Sequence, residues 1–447
     1  MPATVLWFRR DLRLGDNPAL AAAAAAGQVA GLFVADAALR RPAGGARLAF
    51  LSHCLDDLNE RMGGRLVVRS GTPEDVLPQV AREVDATAVH IAADYGVYGA
   101  ARDARVEAAL GSVPLIRTGS AYAVAPGRLT SGAGSPYRVY SPYYRAWVEH
   151  GWREPAVSVD VQWARGIASD GVPPAPDMHG VALPPAGETA AAQRFEAFLS
   201  DHVAGYSTGR NAPAEPGTSR LSAYLKYGCI HPRSLLAALG TSQGEETFRR
   251  ELAWRDFYAD VLWHNPASLR EPLRAAMARL RYDEGPAADE KFEAWASGRT
   301  GYPIVDAGMR QLQSEAWMHN RVRMIVGSFL VKDLHLDWRR GARWFLQHLV
   351  DGDPASNHGG WQWVAGTGTD PAPYFRVFNP TLQSKKVDPD GEYIRRYVPE
   401  LGSVEGDLVH EPWRLPAGPP AGYPVPIVDH AEERAEALRR YAEVKGT

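Results

Sequence analysis

The sequence predicts an α/β parallel-sheet domain at its amino-terminal end followed by a larger all-α domain, and three observations point to this. Short apolar runs alternate with helical stretches over residues 1–125, the pattern of a parallel sheet covered on both faces. Proline, glycine and serine then recur from 126 to 190, as in Gly132-Ala133-Gly134-Ser135-Pro136 and Pro173-Pro174-Ala175-Pro176. A stretch this long without regular pattern is uncommon unless it links domains or is functional, so it reads as an interdomain connector. From 191 to 447 the pattern is helical and strand patterns are scarce.

In chain order, residues 4–8 read as a strand, and Gly15-Asp16-Asn17-Pro18 opens a helix with proline near its start. Residues 29–34 form a second strand, 46–62 a helix, 65–68 a strand, 73–84 a helix, 88–92 a further apolar run and 115–117 a short β-like segment. Ligands of such sheets bind beyond the carboxyl ends of the strands; Asp36 and Asp94 each follow such an end. The connector holds room for one helix at 142–152. The carboxy-terminal part carries helical patterns at 191–199, 219–227, 232–239, 245–263, 292–296, 306–315, 320–330 and 341–349, and a charged helix at 431–444 closes the chain.

Composition narrows the function classes. With 447 residues the chain can build two or three domains. A formal net charge of −3 excludes a wholly basic nucleic-acid binder but leaves room for a local basic face. The two cysteines, Cys54 and Cys229, have no CxxC partner, which argues against a zinc site or disulfide framework and suits a reducing cytoplasm. No secretory signal or membrane span is apparent, since Arg9, Arg10 and Arg13 interrupt the start and the alanine run 21–26 is too short to cross a bilayer. The common hydrolase signatures GxSxG, Walker A and HExxH do not occur.

Several clusters could carry chemistry. Trp361 and Trp363, in Asn357-His358-Gly359-Gly360-Trp361-Gln362-Trp363, would point about 200° apart on a helix, as a wall between two compartments or as an aromatic core helix. Glu251 and Trp254 share a helix face, where an acid could bond a nucleobase while an indole stacks on it; an amphipathic helix with a solvated acid has the same spacing. Trp317, Asn320 and Met324 make an i, i+3, i+7 face on which a buried carboxamide would need partners. Gly217-Thr218-Ser219-Arg220-Leu221-Ser222 opens a helix with hydroxyls and an arginine, suiting a diphosphate or a simple cap. Asp351-Gly352-Asp353-Pro354 could accept from a heterocycle N–H or pair with an arginine, or form a solvated turn.

Taken together, these residues resemble the photolyase/cryptochrome family, most of all its bacterial class I cyclobutane pyrimidine dimer members. The likeness runs from Trp7-Phe8-Arg9-Arg10-Asp11-Leu12-Arg13-Leu14 to about Pro426-Ile427-Val428-Asp429-His430, through Gly301-Tyr302-Pro303-Ile304-Val305-Asp306, Trp317-Met318-His319-Asn320-Arg321 and the stretch from Asn357 to Pro380. The resemblance implies an antenna pigment in the amino-terminal domain and FAD in the helical domain. It implies light-driven repair of pyrimidine dimers in UV-damaged DNA, with the target flipped from the duplex.

Carried over residue by residue, the resemblance assigns Tyr206, Thr218, Ser219, Arg220, Leu221 and Ser222 to the flavin phosphates and ribityl chain. It assigns Asn357 to flavin N5, Arg323 and Asp351 to an ion pair beside the isoalloxazine, and Asp353 to a ring contact. Glu251, Trp254, Asn320, Met324 and Trp363 match the dimer pocket, and Arg210, Arg255, Arg321 and Arg376 match phosphate-facing cations. Members that repair (6-4) photoproducts carry histidines where Asn320 and Met324 stand, which favours cyclobutane dimers. Cryptochromes typically place aspartate or cysteine at the position of Asn357, and many add a long tail; a blue-light photoreceptor is the alternative. Trp361 and Trp338 match the proximal and middle members of a photoreduction chain. The distal tryptophan is missing near Tyr282, which is expected either to replace it or merely to pack. Asp36, Arg47 and Asp94 match contacts of an 8-hydroxy-5-deazaflavin antenna; methenyltetrahydrofolate or no antenna are the alternatives. A monomeric, cytoplasmic protein without bound metal is expected.

Overall fold

The structure, a computed structural model, describes residues 2–369 and 375–445. The part of the expected Thr369–Pro380 motif at 370–374 lies outside the described residues.

The strands are β1 (Ala3–Phe8), β2 (Gln28–Ala35), β3 (Val67–Ser70), β4 (Ala86–Ala93) and β5 (Leu115–Ser120). The helices interleaved with them are α1 (Pro18–Ala26), α2 (Ala37–Arg40), α3 (Gly45–Arg61), α4 (Pro73–Glu83) and α5 (Val97–Leu110). Then follow α6 (Tyr140–His150), α7 (Gly187–Asp201), α8 (Tyr206–Gly209), α9 (Ser222–Tyr227), α10 (Pro232–Ala237) and α11 (Gln243–His264). The remainder holds α12 (Pro286–Ala296), α13 (Pro303–Glu315), α14 (Asn320–Lys332), α15 (Trp338–His348), α16 (Pro354–Ala365), α17 (Pro380–Val387), α18 (Glu392–Tyr397) and α19 (His430–Lys445). The α/β-then-helical class read from the sequence is the class observed.

The chain divides into two compact units that do not follow a single cut. The first comprises 1–178, 183–204 and 219–266, and the second 179–182, 205–218 and 267–447. In the first, the five strands run parallel in the order β3-β2-β1-β4-β5. Its core is the Val, Leu and Ile of the sheet with Trp7, Val76, Leu77, Val106 and Leu110. Near-continuous apolar strands are what a sheet buried on both faces requires. The chain enters α1 as the sequence predicts: Asn17 accepts from the Leu20 N–H at 3.1 Å, and Pro18 takes the first turn.

Differences from the sequence reading have local causes. Helix α5 was not anticipated because its buried face includes Arg102 and Asp103, which pair with each other at 2.8 Å and so break the apolar period. Helices α17 and α18 were not read from the sequence. Helix α9 starts at Ser222 rather than at 219, because Arg220 takes a left-handed backbone (φ 51°) that a helix cannot include. Cys54 and Cys229 prove to be neighbours, two buried thiols with sulfurs 3.5 Å apart, a pairing that no local motif announces.

In the second unit, α13 to α16 surround one core that includes Trp295, Trp338, Phe345 and Trp361. Helix α19 is held by side chains: His430 Nδ1 lies 2.5 Å from Asp333, His335 Nε2 lies 2.6 Å from Glu433, and Arg440 lies 2.7 Å from Asp283.

Candidate functional site

Helices α14 and α16 bring the densest set of expected residues together in the second unit. Helix α14 begins after a left-handed Ala316, with His319 Nδ1 accepting from the Arg321 N–H at 3.2 Å. Trp317 therefore precedes the helix, so the expected i, i+3, i+7 face is corrected: only Asn320 and Met324 share it. Asn320 is exposed at the first turn, not a buried carboxamide, while Trp317 and Met324 are half-buried.

Arg323 reaches from α14 across to the turn before α16. Its Nε donates to the Met318 carbonyl at 2.8 Å, and its Nη2 lies 2.8 Å from Asp351 Oδ2. The Asp351 side chain is only 2% exposed, so the pair is largely removed from water. The other carboxylate oxygen, Oδ1, is buried and has no hydrogen-bond partner among the described residues. Buried acceptors are nearly always satisfied, and one left open beside an arginine suits a ligand N–H. Asp353 caps α16, accepting from Ala355 N–H at 3.1 Å and Ser356 N–H at 3.2 Å, with Pro354 in the first turn. Asn357 on α16 donates from Nδ2 to the Ala342 carbonyl at 2.9 Å, which fixes its carboxamide plane.

The two tryptophans of α16 do face different surroundings. Trp361 is buried, edge-on to Phe345 at 5.0 Å and to Trp295 at 6.2 Å. Its indole N–H is buried without a hydrogen-bond partner among the described residues. Gly341 makes room for it, since a Cβ there would lie 2.1 Å from the ring. Trp363 is half-buried, with the Arg376 guanidinium 5.5 Å from its ring centre. Trp338 is buried and edge-on to His358 at 6.1 Å. Tyr282 packs against the same core with its hydroxyl buried and without a hydrogen-bond partner among the described residues. Burial, and then the nearby Asp337, push its phenol well above the usual range. Arg321 donates to Asn211 Oδ1 and approaches Met324 Sδ at 3.7 Å.

The phosphate-type residues are divided between the units. In the second, Tyr206 is buried beneath the Arg210 guanidinium at 5.7 Å, and Thr218 is half-buried. Gly209 and Gly217 pass so closely that a Cβ at 217 would lie 2.7 Å from the Gly209 carbonyl. In the first, Ser219 offers its carbonyl to Arg194 at 2.7 Å and its hydroxyl to the Leu221 N–H at 3.4 Å. Arg220 and Ser222 are exposed and Leu221 is buried. Thr218 and Ser219 thus precede the short α9, which begins at Ser222, whereas the sequence reading began the helix at 219.

Glu251 and Trp254 stand on α11 in the first unit, a helix opened by a Ser242–Glu245 capping box. Both are half-buried, and Trp254 stacks on Tyr140 at 3.7 Å and 8°. Tyr140 belongs to the stretch read as a connector and was missed; the only available signal was its place at the mouth of the 142–152 helix pattern. Arg255 donates to the Ala121 carbonyl at 2.7 Å and the Leu225 carbonyl at 3.2 Å, and lies over the Tyr122 ring at 4.7 Å.

The strand-end residues also lie in the first unit. Asp36 Oδ1 accepts from the Ala38 N–H at 2.9 Å and Oδ2 from the Tyr98 hydroxyl at 2.5 Å. Asp94 accepts from the Gly96 N–H at 2.9 Å and from Arg102 at 3.2 Å. Burial by itself would raise Asp94, but Arg10, Arg102 and Arg9 outweigh it and hold the carboxyl below its usual range. Asp94 lines a cleft with Arg9, Arg10, Asp11 and Tyr122, whereas Arg47 donates to the Pro42 carbonyl at 3.1 Å and does not line it. Among the described residues there is no cluster of three or more metal-ligating side chains, and no helix is long and apolar enough to cross a membrane.

Comparison with known proteins shows the family of the chain. Residues 4–160 match the family model for DNA photolyase, and residues 248–443 match that for the FAD binding domain of DNA photolyase. A deoxyribodipyrimidine photo-lyase of Streptomyces griseus is 43% identical over 98% of this chain and 99% of its own. The crystal structure of a bacterial class III photolyase from Agrobacterium tumefaciens superposes with a TM-score of 0.91 at 38% identity, covering 100% of this chain and 98% of the other. A cryptochrome of Synechocystis sp. PCC6803 superposes with a TM-score of 0.88 at 28% identity, covering 98% and 99%. With both family models matched in order and such identity along its length, the chain belongs to the DNA photolyase family.

Proposed function

We propose that this protein is a light-driven repair enzyme for cyclobutane pyrimidine dimers in DNA, a deoxyribodipyrimidine photolyase acting as a carbon–carbon lyase with FAD. The observation that carries the reading is the Arg323–Asp351 pair, in which Oδ2 lies 2.8 Å from the guanidinium and Oδ1 is buried with no hydrogen-bond partner among the described residues. A buried acceptor with this neighbour suits the N–H edge of a flavin-like heterocycle. When bound, FAD supplies the light absorption and one-electron chemistry of ring opening, while the protein supplies orientation and polarity.

In this reading Arg323, Asp351 and Asp353 orient the ring, and Asn357 presents its fixed carboxamide to the ring edge. Tyr206, Thr218, Ser219, Arg220, Leu221 and Ser222 hold the phosphates and ribityl chain. Trp254 and Trp363 offer apolar faces to the lesion, and Glu251, Asn320 and Met324 contact its base edges. Arg210, Arg255, Arg321 and Arg376 meet DNA phosphates, which position a duplex without reading its sequence. Trp361, Trp338 and Tyr282 form an electron relay toward the surface. The Tyr282 hydroxyl has no hydrogen-bond partner among the described residues, and the nearby Asp337 disfavours its ionisation, so reduction through it should be slow and pH-dependent. Tyr282→Phe followed by flavin photoreduction tests the relay: an unchanged yield removes Tyr282 from it.

The antenna assigned is an 8-hydroxy-5-deazaflavin near Asp36, Arg47 and Asp94, of which Asp94 lines the cleft. An absorption spectrum of the purified protein separates this pigment from a folate and from none. We take the protein as a cytoplasmic monomer whose partner is UV-damaged DNA. The deciding experiment is repair of a thymine-dimer oligonucleotide under blue light with the flavin reduced. Intact light-induced flavin reduction without repair would favour instead a blue-light receptor, the reading that the similarity to a cryptochrome supports.

A further inference from the structure

Arg376 and Trp363 belong to different segments, and what relates them is the residue between, Phe375. The Phe375 ring stacks on Tyr441 of α19 with centres 4.3 Å apart and planes 13° from parallel. Lys332, at the end of α14, places its ammonium 4.4 Å from the Phe375 ring centre and donates to the Arg376 backbone carbonyl. Gly366 completes the seat, since a Cβ there would lie 2.8 Å from the ring. Lys332 is only 4% exposed. Burying an ammonium is costly, and a leucine would fill the same space more cheaply. The lysine does what a leucine cannot: it holds a ring face and a backbone carbonyl at once, fixing the peptide that carries Arg376. A cleft opens beside this seat among Arg274, Ser328, Trp363, Arg376 and Phe378.

We infer that Lys332 and Tyr441 are positioning residues, which clamp Phe375 between them and thereby aim Arg376 over Trp363 toward the DNA backbone. The carboxy-terminal helix thus serves the DNA-facing surface through Tyr441, held in place by the His430–Asp333, His335–Glu433 and Arg440–Asp283 contacts. The inference rests on the reading of Arg376 as a phosphate-facing cation.

The test is the salt dependence of binding of a thymine-dimer duplex to the full, flavin-loaded protein. Arg376→Ala should reduce the slope of log K against log salt by about 0.9, one phosphate contact. Tyr441→Ala and Lys332→Met should each reproduce much of that reduction, and adding Arg376→Ala to either should change little more. Tyr441→Phe, which keeps the ring, should retain the original slope. Flavin content and thermal midpoint are read alongside; should Tyr441→Ala not fold, Tyr441→Leu replaces it. A Tyr441→Ala protein with a lowered midpoint and an unaltered slope, while Arg376→Ala still loses one contact, would overturn the clamp and leave the reading of Arg376 standing. An unaltered slope in Arg376→Ala would overturn both.

Discussion

Asp36 and Asp351 are both buried carboxylates just past the end of a regular element, yet they are spent differently. Asp36, at the end of β2, satisfies both oxygens with the protein's own donors, Ala38 N–H and Tyr98 OH. Asp351, between α15 and α16, satisfies one oxygen with Arg323 and leaves the other buried and open. A carboxylate that completes its bonds internally is explained by the fold, whereas one left open is explained by what must come to it. Asp256 sharpens the contrast. Its Oδ2 takes both Val124 N–H at 3.0 Å and Trp147 Nε1–H at 3.1 Å, while its Oδ1 has no hydrogen-bond partner among the described residues and faces Arg255 at 3.7 Å. There burial pushes the carboxyl up to about 6, so the open oxygen shows as a stability cost that grows as pH rises through that value.

The largest effect is expected at Asp351. Asp351→Ala removes a charge-assisted bond worth about 2–3 kcal/mol and should weaken FAD retention by roughly 30–150-fold, read as the flavin-to-protein absorbance ratio after dialysis. Asp36→Ala should leave that ratio unchanged; the reverse result would break the comparison. The next effect concerns Asp256. Because its folded pKa lies above the unfolded value of about 3.9, its charged form is penalised in the folded state. Its contribution is most favourable below about pH 4 and is lost as pH rises through about 6, a swing of roughly 2–3 kcal/mol. Asp256→Asn should flatten unfolding free energy across that window in denaturant titrations, and an identical pH profile would refute the assignment. Gly341→Ala drives a methyl into Trp361, costing about 1–3 kcal/mol by overpacking, and should change flavin photoreduction as well as the thermal midpoint. The smallest effect is the helix-capping loss in Asp36→Ala, about 1 kcal/mol, measurable by chemical denaturation.

Much of the architecture was legible because its signals are local. The parallel sheet showed in the apolar runs of β1, β2 and β4, and α13 and α14 in their apolar spacing. Helix α5 was not legible, because its burial depends on Arg102 finding Asp103 and Asp94. Of the candidate site, the residues of α14 and α16 could be named from the sequence, and the Arg323–Asp351 pair is observed as expected. Tyr140 behind Trp254 could not be named, since their stack joins positions far apart in the chain. Neither could the Phe375 seat, which draws on α14, α16 and α19 together.

The sequence by itself determined the α/β-then-helical order, the family and the identity of most candidate residues, since hydrophobic period, capping signals and motif order are properties of neighbouring positions. Tertiary structure alone decided which buried polar atoms are spent and which stay open, and that Lys332 and Tyr441 grip Phe375. Those outcomes depend on distances of a few ångströms between segments remote in the chain, and only packing sets such distances.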